Sequence, residues 1–254
     1  MASSPKPPWQ MSMLSDTGRI RLRNEDHVFS DEERGLAVLA DGMGGHAGGA
    51  LAARLAVAAW VGEVGTGALD EALILRAVEA ANRAVFETAC QDKALRGMGT
   101  TLVAVGFRTD GTLVACHVGD SRLYRLRDDV LYCMTRDHSV LREQVDAGMI
   151  QSESEGDPLF RGLLTRAVGV ESEVCPDLLV TRMEDGDVYL LCSDGLTEML
   201  GDADIADVLT GLGAIPRLAA EHLVDMANDQ GGTDNVSVVI VSLRAEGRPS
   251  AVVA

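Results

Sequence analysis

A chain of 254 residues, 46% of them hydrophobic, can bury a full core and could form one large domain or two small ones. The formal net charge of −17 argues against nucleic-acid backbones and anionic membranes as partners. Apolar runs are shorter than a membrane span, and the first ten residues lack the apolar segment of a signal peptide.

The first half of the chain predicts a strand followed by two helices. Residues 1–11 contain three prolines and favour a disordered tail. The apolar run Leu36–Ala40 is typical of a buried strand. Ala50–Val61 is rich in alanine and leucine, and Leu69–Ala89 has apolar residues at helical spacing. Two helices therefore follow one another without a strand between them.

The middle of the chain predicts antiparallel strands. Asp110-Gly111 is a hairpin signal, and Arg127-Asp128-Asp129 indicates a second turn. We expect the strands around these turns to form a meander. They cover Thr100–Phe107, Leu113–Val118, Arg122–Leu126 and Val130–Met134.

The remaining residues predict helices, two isolated strands and a final strand. Gln151–Gly162 is polar and contains glycine, so we expect a mobile loop there. Residues 245–254 should form a frayed tail. The predicted helices are Ser139–Ala147, Asp202–Leu212 and Pro216–Asp229, and the predicted strands are Asp177–Arg182, Val188–Cys192 and Asn235–Leu243.

This order of elements predicts an α+β fold, an antiparallel β-sandwich flanked by helix pairs in four α-β-β-α layers. We expect residues 12–244 to form a single domain. The five cysteines are odd in number and lack a CxxC pair, which indicates reduced thiols in the cytoplasm. Cys116 and Cys192 lie in apolar runs and should be buried.

Short acidic stretches recur where apolar runs end. Clustered carboxylates repel one another unless a cation joins them, and oxygen ligands suit Mg²⁺ or Mn²⁺. The pattern therefore predicts a metalloenzyme. The stretches are Arg21-Leu22-Arg23-Asn24-Glu25-Asp26, Asp41-Gly42-Met43-Gly44-Gly45-His46, Gly119-Asp120-Ser121-Arg122, Thr135-Arg136-Asp137-His138-Ser139, Ser193-Asp194-Gly195 and Thr233-Asp234-Asn235.

One stretch also fits a dinucleotide fingerprint. Residues 42–47 match G-x-G-x-x-A after a strand and before a helix, and Glu63 lies 21 residues beyond Gly42. The helix, however, leads into another helix instead of a parallel strand. Asp41 would also oppose a pyrophosphate. These two points weigh against a Rossmann site.

In their order, the motifs resemble the bacterial type 2C metal-dependent serine/threonine protein phosphatases. The matching blocks are RLRNED, VLADGMGGHAGG, GMGTTLVAV, VGDSRLYRL, TRDHS, LLTRAVG, YLLCSDGLTEML and GGTDNVSVVIV, from about residue 15 to residue 243. The resemblance implies a β-sandwich with helix pairs outside. It also implies hydrolysis of phosphoserine and phosphothreonine in proteins with two Mn²⁺ or Mg²⁺ ions.

The same resemblance implies a metal-binding role for several residues. Asp41 would bridge two ions, with a further ligand from the Gly42 carbonyl. Asp194 and Asp234 would complete the shell of the first ion, although a helix N-cap and an Asx turn are the alternative roles. Either Asp26 or Glu25 would serve the second ion. Asp120, with Asp194, would hold a weaker third ion, or else it is a β-bulge residue.

Two residues are implied in catalysis. Arg21 would grip the substrate phosphate, although an arginine at such a position is more often solvated. Some relatives carry a histidine as general acid directly after the Asp-Gly pair, where this chain has Met43. His46, three residues later, would take that role, or else it is a loop or helix-start histidine. His27, His117, His138 and His222 show no ligand spacing, so we expect packing or surface roles for them.

The leading hypothesis is a phosphatase that uses a metal-activated water and forms no phosphoenzyme. The alternatives are a catalytically silent binding module on the same fold and a hydrolase of small phosphate esters. As partners we expect phosphorylated proteins, the substrates of a serine/threonine kinase. We expect a monomer without nucleic acid or membrane insertion. Gln151–Gly162 is the expected determinant of substrate choice.

Overall fold

The computed structural model describes residues 7–44, 48–65, 67 and 69–244, which form two β-sheets between two layers of helices. The strands are β1 (Trp9–Asp16), β2 (His27–Asp31), β3 (Leu36–Ala40), β4 (Gly42–Met43), β5 (Gly99–Thr100), β6 (Leu102–Phe107), β7 (Thr112–Val118), β8 (Arg122–Arg127), β9 (Val130–Cys133), β10 (Asp177–Arg182), β11 (Val188–Cys192) and β12 (Val236–Leu243). The helices are α1 (Gly48–Val64), α2 (Glu71–Gln91), α3 (Val140–Asp146), α4 (Asp194–Thr197), α5 (Asp202–Leu212) and α6 (Pro216–Asp229).

Each main sheet has five antiparallel strands. The first sheet has the order β1-β12-β11-β8-β9, and the second sheet has the order β10-β7-β6-β3-β2. The short strands β4 and β5 pair with one another beside the second sheet. The predicted α+β sandwich is confirmed. No helix in the described part of the chain is long and apolar enough to cross a membrane.

The strand β3 shows how the layers form. All five of its residues are buried, because one face meets the other sheet and the opposite face meets helices. Leu39 packs between the sheets with Phe107 and Tyr189, while Val38 packs under α1 and α2 with Trp60. The helices α5 and α6 cover the outer face of the first sheet. Four layers therefore enclose three apolar clusters.

The predicted meander is wrong in one respect. The strands β6 and β7 form a hairpin in the second sheet, whereas β8 and β9 form a hairpin in the first sheet. Between the two hairpins, the chain crosses from one sheet to the other at Gly119-Asp120-Ser121. The hairpin turns are as predicted, with positive φ at Gly111, Asp128 and Asp129. Local turn chemistry fixes a hairpin but does not determine which sheet it joins.

The N-terminal boundary also differs from the prediction of a tail over residues 1–11. The strand β1 begins at Trp9, whose indole is buried against Phe107 at 5.9 Å between ring centroids. The last three residues of the predicted tail therefore belong to the first sheet. The strand β2 was not predicted, because only Val28 and Phe29 of its five residues are apolar and all five are half-buried at a sheet edge. Residues 245–254 lie outside the described part of the chain.

Candidate metal centre

Five aspartates meet at one end of the sandwich. Antiparallel pairing places the start of one strand beside the end of its neighbour. His27 thus pairs with Ala40, and Cys192 pairs with Val238. The carboxylates just outside these strand ends are brought to the same edge, where the crossing between β7 and β8 adds one more. They are Asp26 before β2, Asp41 after β3, Asp120 after β7, Asp194 after β11 and Asp234 before β12.

Hydrogen bonds on both sides hold the backbone of Asp41. Its N–H donates to Thr101 Oγ1 at 2.9 Å, and its carbonyl accepts from Thr101 N–H at 2.8 Å and from Thr100 Oγ1 at 2.8 Å. Thr101 Oγ1 is also 2.7 Å from Ser121 Oγ in the loop that carries Asp120. The main chain of Asp41 therefore uses other partners, and its carboxylate remains available in the pocket.

Burial and mutual repulsion raise the pKa values of these carboxyl groups. Burial raises the pKa of Asp26 to about 7 and the pKa of Asp120 to about 8, and the charge of Asp194 adds to both shifts. Burial, followed by the charges of Asp26, Asp194 and Asp120, raises the pKa of Asp41 well above its usual range. Burial and the charge of Asp234 raise the pKa of Asp194. The carboxylates of this cluster therefore favour a bound proton or cation over an uncompensated negative charge.

Two buried oxygen atoms provide a test of whether a cation fits. Asp26 Oδ1 and Asp194 Oδ1 are inaccessible to solvent and have no hydrogen-bond partner in the described structure. The other oxygen of Asp26 accepts a hydrogen bond from Ser193 Oγ at 2.9 Å, which orients this carboxylate. A buried acceptor without a donor is costly. A divalent cation satisfies such oxygens, so the donor set fits Mn²⁺ or Mg²⁺.

The Glu25 carboxylate and the Gly42 carbonyl oxygen lie close together beside the start of α1. A Cβ atom on Gly49 would lie 2.4 Å from Glu25 Oε2 and 2.7 Å from the Gly42 carbonyl oxygen. Only glycine leaves this space open. Both neighbouring carboxylates, Glu25 and Asp26, thus lie near the centre. They are on a loop and not on a strand, so the alternation of side chains along a strand does not point them to opposite faces.

Arg21 lies at the mouth of an open pocket of about 830 Å³ that contains the centre. Its Nη2 donates to Asp234 Oδ2 at 2.5 Å, and the arginine side chain is 56% exposed. An exposed ion pair contributes little to stability and can exchange partners. The structure therefore places Arg21 beside a predicted metal ligand, among the residues that line the pocket. His46 lies outside the described residues.

Several contributions were missed by sequence reasoning or understood differently. Ser193 orients Asp26, and only its position before Asp194 could have indicated this. Asn235 donates from Nδ2 to Thr17 O at 2.9 Å and to Arg23 O at 3.0 Å. The Asp137 carboxylate binds the Arg122 guanidinium, while Ser139 caps α3.

A histidine cluster lies next to the centre. His117, His138 and Asp177 bring three potential ligand atoms within 4.8 Å of one another, although their spacing in sequence gave no sign of it. The Gly119 N–H donates to His138 Nδ1 at 3.1 Å, which leaves the imidazole proton on Nε2. Arg166 donates to Asp177 Oδ1 at 2.7 Å. Both features oppose a cation, so this cluster anchors the residue before Asp120.

The raised pKa values predict that the metal-free protein loses stability between about pH 6.5 and pH 8. Folded Asp26 and Asp120, with pKa values of about 7 and about 8, retain protons that the unfolded carboxylates release near pH 4. Folding then binds protons, so the free energy of unfolding decreases with rising pH, by about 2 kcal/mol. Below pH 6.5 the lowered pKa of His138 has the opposite effect, which sets the window.

Urea unfolding in EDTA across this pH window measures the effect. The same series with saturating Mn²⁺ is the control, because bound cations replace the protons and should flatten the dependence. A free energy of unfolding that stays constant or rises with pH in EDTA would contradict the raised pKa values of Asp26 and Asp120.

The fold is an α-β-β-α sandwich, and its pocket contains oxygen ligands suited to divalent cations. These two features indicate the class of metalloenzymes. The family model for protein phosphatase 2C matches residues 19–228. The protein phosphatase PhpP of Streptococcus pneumoniae is 36% identical over 246 residues, covering 93% of this chain and 98% of the relative. The chain belongs to the protein phosphatase 2C family.

Solved structures agree with this assignment. The crystal structure of the Mycobacterium tuberculosis serine/threonine phosphatase PstP/Ppp is similar at a TM-score of 0.84 and 38% identity, covering 93% of this chain and 99% of that chain. A structure of the PstP catalytic domain in complex with two manganese ions is similar at a TM-score of 0.82 and 37% identity, covering 93% and 98%.

Proposed function

We propose that this protein hydrolyses phosphoserine and phosphothreonine in proteins with Mn²⁺ or Mg²⁺ and without a phosphoenzyme. The observation that carries the proposal is the convergence of five aspartates from separate strand ends, two of them with orphaned buried oxygens. Membership of the protein phosphatase 2C family and the two manganese ions of the related PstP domain support it.

Each group has a defined task in this proposal. Bound cations supply Lewis acidity, which activates a water and offsets the phosphate charge. Asp41 bridges two cations, and Asp194 and Asp234 complete the set for the first. Asp26 or Glu25, with the Gly42 carbonyl, holds the second. Arg21 turns from Asp234 to bind phosphate oxygens. His46 remains a proposed general acid, with water as the alternative.

The thiols do not offer a competing nucleophile. Cys116 and Cys192 are buried, and burial raises the pKa of Cys116 to about 12. The exposed cysteines do not line the described pocket. The same proposal describes a monomer with a single catalytic domain, acting in the cytoplasm on the products of a serine/threonine kinase.

Phosphate release from phosphopeptides and from p-nitrophenyl phosphate, with and without Mn²⁺, tests the function. Hydrolysis of both substrates is expected. Activity on neither would indicate the silent binding module. Activity on p-nitrophenyl phosphate and small esters, without activity on any phosphopeptide, would indicate the small-ester hydrolase.

Arg21→Ala should lower kcat/KM for phosphopeptides by about tenfold or more. The variant loses a charge-assisted hydrogen bond to phosphate, which is worth on the order of 1.5–3 kcal/mol. Mn²⁺ affinity, measured by calorimetry, should change little. Arg83→Ala, on the exposed face of α2, is the matched control. An equal loss of metal binding would instead give Arg21 a structural role through Asp234.

Asp120→Ala should retain two tightly bound Mn²⁺ ions and lose about a hundredfold in phosphopeptide turnover at saturating metal. A third ion between Asp120 and Asp194 has few carboxylate ligands and binds weakly. Metal counting and steady-state kinetics measure the two effects. Unchanged turnover would make Asp120 a bulge residue, while loss of both tight ions would place it among their ligands.

A further inference from the structure

The loop between β1 and β2 presents large apolar side chains beside Arg21. Ile20 is 67% exposed and Leu22 is 98% exposed, and both line the pocket with Arg21. We call residues 20–23 the apex of this loop. Single exposed apolar residues are common, but Ile20 and Leu22 on either side of the proposed phosphate-binding arginine form a local surface.

Hydrogen bonds fix the backbone of the loop at both ends of the apex, so the exposed side chains are held in a defined position. The Asn235 side chain donates to the carbonyl of Thr17, before the apex, and to the carbonyl of Arg23, the last residue of the apex. The Arg19 N–H donates to Gly232 O at 2.7 Å. These bonds fix the backbone and leave the apex side chains in solvent. A pre-ordered surface loses less entropy when it binds a partner.

A second segment of the pocket lining has a similar character. Arg161, Gly162 and Leu164 line the pocket, and Leu163 between them is 47% exposed. Leu159, on the same segment, is 80% exposed. The Val140 N–H donates to Leu163 O at 2.9 Å, which ties this segment to α3. Two segments that contribute to the pocket lining therefore carry apolar side chains that face solvent.

Unpaired positive charge accompanies these apolar side chains. Arg23 and Arg161 are exposed pocket residues, and neither guanidinium has a hydrogen-bond or ion-pair partner among the described residues. The pocket mouth thus combines exposed apolar side chains with two exposed guanidinium groups. Aspartates of the metal centre line the same pocket.

We propose that this mouth binds an acidic phosphopeptide segment with a large apolar residue next to the phosphorylated residue. The inference rests on the proposed phosphatase activity. A neighbouring peptide residue lies about 3.5 Å along the chain from the phosphorylated one. With phosphate at Arg21, that neighbour meets Ile20 or Leu22. Acidic residues further along reach Arg23 and Arg161.

Four phosphothreonine peptides test the inference. They place leucine or glycine beside the phosphothreonine and glutamates or lysines at the flanks. In the wild type, kcat/KM should favour leucine over glycine by about fivefold, as expected for partial burial of one leucine. Glutamate should be favoured over lysine by about fivefold at low salt, with a smaller ratio at high salt.

The variants separate the two features. Leu22→Ala should bring the leucine-to-glycine ratio close to one, and Arg161→Ala should reduce the glutamate-to-lysine ratio. Leu75→Ala and Arg83→Ala, on exposed positions of α2, should keep both wild-type ratios. Leu22 makes few packing contacts at 98% exposure, so its variant should fold.

Equal turnover of the four peptides by a wild type that hydrolyses p-nitrophenyl phosphate with Mn²⁺ would overturn this inference alone. A preference for lysine, or a Leu22→Ala variant with the wild-type leucine-to-glycine ratio, would also overturn it. Absence of Mn²⁺-dependent phosphate release from every substrate would overturn the proposed function and this inference together.

Discussion

Asp41→Asn is expected to lower turnover at least ~10³-fold while the protein stays folded. The charges of Asp26, Asp194 and Asp120 all raise the pKa of Asp41, so Asp41 is close to all three carboxylates. Its loss should therefore weaken the binding of both cations. In the metal-free protein, burial and the charges of these neighbours raise the pKa of Asp41, so an uncharged amide at this position relieves the unfavourable ionisation. The melting temperature in EDTA should therefore stay equal or rise.

Asp187→Asn is the matched control for Asp41→Asn. Asp187 is also buried, but it binds Arg127 Nε at 2.7 Å and accepts from Tyr189 Oη at 2.7 Å, at the opposite end of β11. Breaking this network should cost about 3 kcal/mol of stability, while the folded fraction retains turnover. Near-normal kcat in Asp41→Asn, or a large loss of its metal-free stability, would contradict the bridging role.

Removal of divalent cations is expected to abolish activity completely. Among the described residues, Asp26 Oδ1 and Asp194 Oδ1 have no hydrogen-bond donor, and no cysteine is among the residues that line the pocket. Dialysis against EDTA should therefore eliminate phosphate release, and added Mn²⁺ or Mg²⁺ should restore it. Phosphate release before and after metal replacement measures the effect.

Thiol alkylation is the control for the metal requirement. The exposed residues Cys90, Cys133 and Cys175 should react without loss of metal-dependent turnover. Full activity in EDTA with metal-free buffers would contradict the proposed metal-activated water. Loss of activity after cysteine alkylation, without loss after EDTA treatment, would also contradict it.

Most elements were predictable because their signals are local. The helices Asp202–Leu212 and Pro216–Asp229 were predicted with the bounds that the structure has, since apolar residues recur at helical spacing. The hairpin turns at Gly111 and Asp128 also depend on neighbouring residues alone. The edge strand β2 was missed because a short, half-buried segment with two adjacent apolar residues carries little periodic signal.

By itself the sequence determined the class of site. Carboxylates beside glycines at the ends of apolar runs, in the order of a known family, indicated a divalent-metal phosphatase before any coordinates. Which of those carboxylates share a centre depends on contacts between residues far apart in the chain. Asp26 and Ser193, for example, are 167 positions apart and form a hydrogen bond.

Only the tertiary structure decided how the chain crosses between sheets. A hairpin signal does not encode the sheet that a strand will join, because that choice depends on long-range pairing and burial. The crossing after β7 carries Asp120 to the pocket, where burial and repulsion raise its pKa. The anchored loop that exposes Leu22 beside Arg21 likewise exists because Asn235, more than 200 positions away, holds both of its ends.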